Sequence, residues 1–202
     1  MTSASTSTSA SASASASASP STPYVPRPAR PEDHPAIVAA VQTWWTDRTP
    51  AQMRELSLLL PKLFLQFFSR TSLVVEDPDS PGAPDHPSGR AGRTVRAFLV
   101  GFHPSEADAP DEAYIHFVGV DPALRGQGVA RALYETFFRQ AADAGRTRVR
   151  SVTSPTNTGS LAFHRALGFT LEPGDREVDG LPVHKDYDGP GLDRVCFVRD
   201  LG

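Results

Sequence analysis

The stretch RGQGVARALYETFF, residues 125–138, sets two glycines directly before a run with strong helical periodicity. Val129, Leu133, Phe137 and Ala141 fall on one stripe, with Ala130, Tyr134 and Phe138 beside it. That spacing predicts an amphipathic helix buried along one face, and Gly145 is placed to end it. Ahead of the helix, Gly126 and Gly128 offer backbone that can curl where other residues would resist. The first amides of a helix have no partners one turn back, and the macrodipole adds roughly half a positive charge there. A glycine turn opening a helix therefore suits an anion such as a pyrophosphate.

Two familiar phosphate patterns fit this turn poorly. A P-loop needs Lys and then Ser or Thr after its last glycine, whereas Gly128 is followed by Val129 and Ala130. The dinucleotide fingerprint needs a third small residue where Arg131 stands, and an acid closing a second strand about 20 residues on. An ordinary strand-to-helix turn that binds nothing is the plain alternative.

A third pattern fits at three positions. FVGVDPALRGQGVARALYETF, residues 117–137, resembles the acyl-coenzyme A loop of the GNAT superfamily of N-acetyltransferases. The family pattern is Gln or Arg, two residues, Gly, one residue, then Gly or Ala; Arg125, Gly128 and Ala130 occupy those places. NTGSLAFHRALGF, residues 157–169, is similar to the family's later helix, which runs from an asparagine, here Asn157, to Leu167, Gly168 and Phe169. RPARPEDHPAIVAAV, residues 27–41, is similar to its first strand and helix, so the resemblance spans nearly all of 24–202. It implies an α/β fold of the α+β layer type, with a mixed, mostly antiparallel central sheet flanked by helices.

The flanking sequence agrees with that order of elements. A short strand in YVPRPAR precedes a helix with Ile37, Ala40, Val41 and Trp44 on its apolar side. Pro61 should split the helical region 51–68. SLVVED reads as strand, and 78–92 as a turn-rich polar loop. TVRAFLVGF and EAYIHFVGV form a hairpin, and RVRSVT, FTLEP and DRVCFVRDL supply further strands.

Composition bounds the function. The chain has 202 residues, 39% of them hydrophobic, and a net charge of -3. That size favours one globular domain, here 23–202, and the charge argues against a general nucleic-acid or membrane-surface binder. Residues 1–22 are mostly Ser and Ala and read as a disordered tail. They lack both the basic start and apolar run of a secretory signal and the arginines of a transit peptide, so the chain is read as cytoplasmic. Cys196, the single cysteine, excludes an internal disulfide and a cysteine-rich metal site. The six histidines show no metal-ligand spacing, and no metal is expected.

The resemblance also implies a site. Val118, Gly119 and Val120 would bind the pantetheine arm of acetyl-coenzyme A, the cosubstrate, through their backbone. Arg125 and the turn Gly126, Gln127, Gly128, Val129, Ala130 and Arg131 would hold the pyrophosphate. Asn157 would cap the later helix and touch the coenzyme. An alkylamine acceptor has a pKa near 10 and must lose a proton before it attacks. His116 is the candidate base, with strand alternation placing Tyr114, His116 and Val118 on one face; a half-buried filler is the alternative. Relatives often carry glutamate where Tyr114 stands, and tyrosine, as a proton donor to the departing thiolate, where His164 stands. An imidazolium at His164 would serve the same purpose, or the ring would merely shape the thiol pocket.

Less weight falls on other residues. Trp44 and Trp45 read as one core and one rim residue, Asp111 and Glu112 as solvated hairpin acids, and Tyr187 as loop packing. Cys196 lacks an activating base. Two functions follow: transfer of an acetyl group to a primary amine of a small molecule or peptide by direct attack, or a non-catalytic acyl-coenzyme A sensor or assembly module. The resemblance also allows a homodimer.

Overall fold

The computed structural model describes residues 24–45, 48–77, 94–105 and 107–202. The Ser/Ala tail and the polar loop expected at 78–92 lie outside the described residues. In chain order the elements are β1 Arg27–Pro28, α1 His34–Trp44, α2 Pro50–Leu58, α3 Lys62–Phe67, β2 Leu73–Glu76, β3 Val95–Phe102 and β4 Glu112–Val120. They continue with α4 Val129–Asp143, β5 Arg148–Thr153, α5 Thr158–Ala166, β6 Thr170–Leu171, β7 Arg176–Val178, β8 Leu181–Val183 and β9 Val195–Asp200.

Period-2 alternation in β2 and β3 serves two cores at once. Leu73, Val75, Ala97 and Leu99 face α4, whose Val129, Leu133, Phe137 and Ala141 are buried against them. Val74, Phe98 and Val100 face the other way and pack with Ile37, Val41 and Trp44 of α1 and with Leu65 of α3. Each Val, Leu, Ile or Phe among them, fully buried, stabilises the fold by about 1.5–3 kcal/mol before entropy is counted. Pro61 ends one helix and opens the next, because its fixed φ and missing N–H cannot continue α2.

The main sheet runs β1-β2-β3-β4-β5-β9-β6. All its pairings are antiparallel except β4 with β5. This is the mixed, mostly antiparallel sheet flanked by helices that the sequence implies. β7 and β8 form a separate hairpin that the strand reading missed, closed by Asp179 and Gly180 at φ 51° and 75°. Asp-Gly is a favoured pair for such a two-residue turn, so the signal was present.

β4 carries an irregularity that positions the site. Phe117 pairs with Val100 of β3 and Ile115 with Gly101, so His116 has no partner across that ladder. A bulge of this kind re-aims the residues beyond it. Tyr114 and His116 share one face, with ring centroids 6.3 Å apart, and Phe117 packs on that same side against Phe98 and Trp45. Val118 instead packs against the α4 core. The alternation expected to put Val118 beside Tyr114 and His116 is therefore corrected: the bulge reverses the phase between 116 and 118.

Candidate active site

β4 and β5 pair only from Glu112–Arg148 to Ile115–Ser151. Beyond that point β5 stays with β9, Val152 opposite Cys196 and Thr153 opposite Val195, while β4 stays with β3 as far as Val120. The two strands thus part, and among the described residues the edge of β4 from His116 to Val120 has no partner on the β5 side. Buried Ser151 closes the fork by donating its hydroxyl to the Ile115 carbonyl at 3.1 Å. Val118, Gly119 and Val120 all lie on the open edge. Gly119 is required sterically, since a Cβ there would stand 2.5 Å from the Phe98 ring and 3.1 Å from Trp45.

Just beyond the fork lies the glycine turn. Gly126 and Gly128 adopt φ 77° and 79°, and Gly128 is the N-cap of α4 with no side chain to cap it. A Cβ at either position would meet nothing within 4 Å, so backbone conformation rather than crowding within the protein demands these glycines. The exposed turn leaves the first amides of α4 open at the positive end of the helix. Val129 is buried, Ala130 half-buried, and Gln127 and Arg131 point outward, Arg131 pairing with Glu135 at 3.7 Å. Arg125 sends its guanidinium to the Trp44 carbonyl at 3.3 Å, which ties the turn to the end of α1. Asn157 caps α5, its side-chain oxygen accepting from the Ser160 amide at 3.1 Å. Uncapped amides beside an open strand edge form a donor set that fits a pyrophosphate with an amide-bearing arm.

The two histidines sit in different surroundings. His116 is half-buried, its Nε2 2.7 Å from the Leu59 carbonyl and its ring 4.4 Å from that of Phe64. His164 is buried, stacked on Phe197 at 4.3 Å. Its Nδ1 lies 2.9 Å from the Ser160 carbonyl, which can only accept, so that nitrogen bears the hydrogen. Nε2 then accepts from the Tyr134 hydroxyl at 3.1 Å. Burial lowers the His164 pKa, against a smaller raising effect of the Ser160 bond. Burial thus disfavours the imidazolium expected at 164, and both ring nitrogens are engaged within the protein.

Other expectations sort similarly. Trp44 is buried on Phe98, and Trp45 lies at the rim, stacked on Phe117 at 5.7 Å. Glu112 is not a free hairpin acid, because it accepts from Arg150 at 2.7 Å, and Glu172 accepts from the same guanidinium at 2.5 Å. Tyr114 is held as a neutral phenol, its pKa raised chiefly by burial. Burial also pushes the Cys196 thiol up, which disfavours it as a nucleophile. Sequence reasoning missed Ser151, Tyr134 and the Leu59 carbonyl after α2, since each acts through a partner at least 30 positions away. Among the described residues no group of three His, Cys, Asp or Glu is placed to hold a metal, and no helix is long and apolar enough to cross a membrane.

Parted central strands leading into a glycine turn and helix define the class of acyl-coenzyme A-binding acetyltransferase folds. The Acetyltransferase (GNAT) family profile matches residues 40–169, and the chain belongs to that family. Residues of the chain are 33% identical over 67 positions to a mycothiol acetyltransferase of Kocuria rhizophila, covering 33% of this chain and 22% of that protein. The chain thus spans about a fifth of the length of that relative. Among solved structures, the ribosomal-protein-S18-alanine N-acetyltransferase of Escherichia coli superposes with a TM-score of 0.58 at 16% identity, over 89% of this chain and 94% of that one. Ard1 of Thermoplasma volcanium gives 0.59 at 18% identity, over 88% and 97%. These likenesses establish the fold.

Proposed function

We propose that this protein transfers an acetyl group from acetyl-coenzyme A to a primary amine of a small molecule or peptide by direct attack. The observation that carries the reading is the parting of β4 and β5 immediately before an uncapped glycine turn. When bound, the coenzyme supplies the acyl group as an activated thioester. The backbone of Val118, Gly119 and Val120 would hold the pantetheine arm and the amides of Gly126, Gly128, Val129, Ala130 and Arg131 the pyrophosphate, while the Gln127 amide, donating to the Leu124 carbonyl at 3.4 Å, shapes the turn. Arg125 braces that turn, and Asn157 caps the helix beside it.

His116 takes the proton of the acceptor ammonium. The Leu59 carbonyl keeps hydrogen on Nε2, so Nδ1 is the accepting atom. His164 stays neutral and joins α5 to α4 through Tyr134. The buried thiol of Cys196 takes no part, so the acyl group passes directly to the amine.

The test is a panel of primary amines with acetyl-coenzyme A, read by thiol release and by mass spectrometry of the product. Small-molecule amines head the panel, since the curated relatives are named mycothiol acetyltransferases; peptides with free N-termini and lysines follow. Thiol release matched by acetylated product is expected for at least one class. Coenzyme binding without turnover on any amine would instead favour the sensor or assembly module.

A further inference from the structure

We infer that the turn between α2 and α3 orients the His116 imidazole, with Phe64 as a positioning residue. The inference rests on His116 being the proton acceptor. The bulge leaves His116 without a partner on β3, so the strand ladder alone does not fix its direction. Three contacts from outside the sheet supply what the ladder lacks.

The first is the Leu59 carbonyl, 2.7 Å from Nε2. A carbonyl only accepts, so this bond selects the tautomer with hydrogen on Nε2 and a lone pair on Nδ1. The second is Phe64, whose ring lies 4.4 Å from the imidazole at an interplanar angle of 23°, which restricts rotation about the remaining side-chain torsion. The third is indirect. The next carbonyl, of Leu60, is held by His34 Nε2 at 2.8 Å. Leu59 is the C-cap of α2 and Leu60 follows it, where helix geometry provides no amide for their carbonyls. Two imidazoles, one from the start of α1 and one from β4, thus clasp adjacent carbonyls and hold the turn against the sheet. Phe64 is fixed in its turn by Phe102 and Phe68, at 6.1 and 6.3 Å.

Proton transfer requires the base within hydrogen-bond reach of the amine, and small misplacements are costly. Replacing Phe64 by Leu keeps apolar volume but removes the stacked ring, and Phe64→Tyr keeps the ring. With the best amine of the panel, Phe64→Leu should lower kcat roughly tenfold, a fraction of what a proton-transfer group contributes, and leave the KM for acetyl-coenzyme A unchanged. Phe64→Tyr should restore kcat. Imidazole nitrogen NMR of the acceptor-free protein should show His116 protonated on Nε2 in the unaltered protein and in Phe64→Tyr, and a tautomer mixture in Phe64→Leu.

Hydrogen on Nδ1 in the unaltered protein would overturn the inference even if Phe64→Leu failed to fold. So would a folded Phe64→Leu with unchanged kcat and tautomer while His116→Ala is impaired. Full turnover by His116→Ala would remove the base assignment and this inference together.

Discussion

At position 164 the ring is 4% exposed and its pKa is lowered, mainly by desolvation. An unfolded histidine binds its proton near pH 6.5. The native state resists that proton, so the unfolded state binds more of them below this pH, and stability should fall as the pH drops through and below about 6.5. Melting temperatures measured from pH 7.5 to 5 should decline, and His164→Phe should flatten the decline. Part of the slope should persist, because His103 is shifted in the same direction by burial and by Arg146. Gly128 poses a different constraint. Its φ of 79° disfavours a side chain by about 1–2 kcal/mol, more for a β-branched one, although the space around it is open. Gly128→Val should therefore weaken coenzyme A binding strongly in calorimetry, and Gly128→Asn, which tolerates that φ, should do so less. Equal affinity in all three proteins would remove the turn from the binding site.

Among the elements, β4 bears the most conditions. It pairs with β3 from Tyr114 to Val120 except at His116, with β5 for only four residues, and packs on both cores. Gly119 marks where Trp45 and Phe98 press against the strand. A Cβ 2.5 Å from one ring and 3.1 Å from the other must displace them. Gly119→Ala should destabilise by about 1–3 kcal/mol in urea titration, the usual cost of overpacking. Gly174→Ala should also destabilise, since its Cβ would lie 2.4 Å from the backbone of Val183. A neutral Gly119→Ala would mean that the Phe98 and Trp45 rings yield easily.

Across the whole molecule, one sheet separates two cores, α4 and α5 on one face and α1 to α3 on the other. Tyr24 is the first described residue packed against either core. Residues 1–22 contain no Leu, Ile, Val or aromatic residue, so they have little to add to a core. Deleting them should leave the melting temperature and coenzyme A affinity unchanged. A large fall in either would show that the tail touches the folded part.

The glycine turn, the α4 stripe, the break at Pro61 and the cap at Asn157 were legible because each follows from neighbours within a few residues. Helical period, permitted φ and a missing N–H are properties of the local chain. The Asp179–Gly180 hairpin was equally local and was overlooked. Other features had no local signature. The bulge at His116 depends on how β3 lies against β4, and it alone decides that Val118 faces α4 rather than His116. The tautomer of His116 is set by a carbonyl 57 positions away, and the protonation of His164 by burial against Phe197 and by a hydroxyl 30 positions away. Sequence determined most of the elements that form and where a glycine turn opens a helix. Tertiary packing decided which nitrogen carries each proton, because protonation follows from desolvation and from hydrogen-bond partners that only the folded chain brings together.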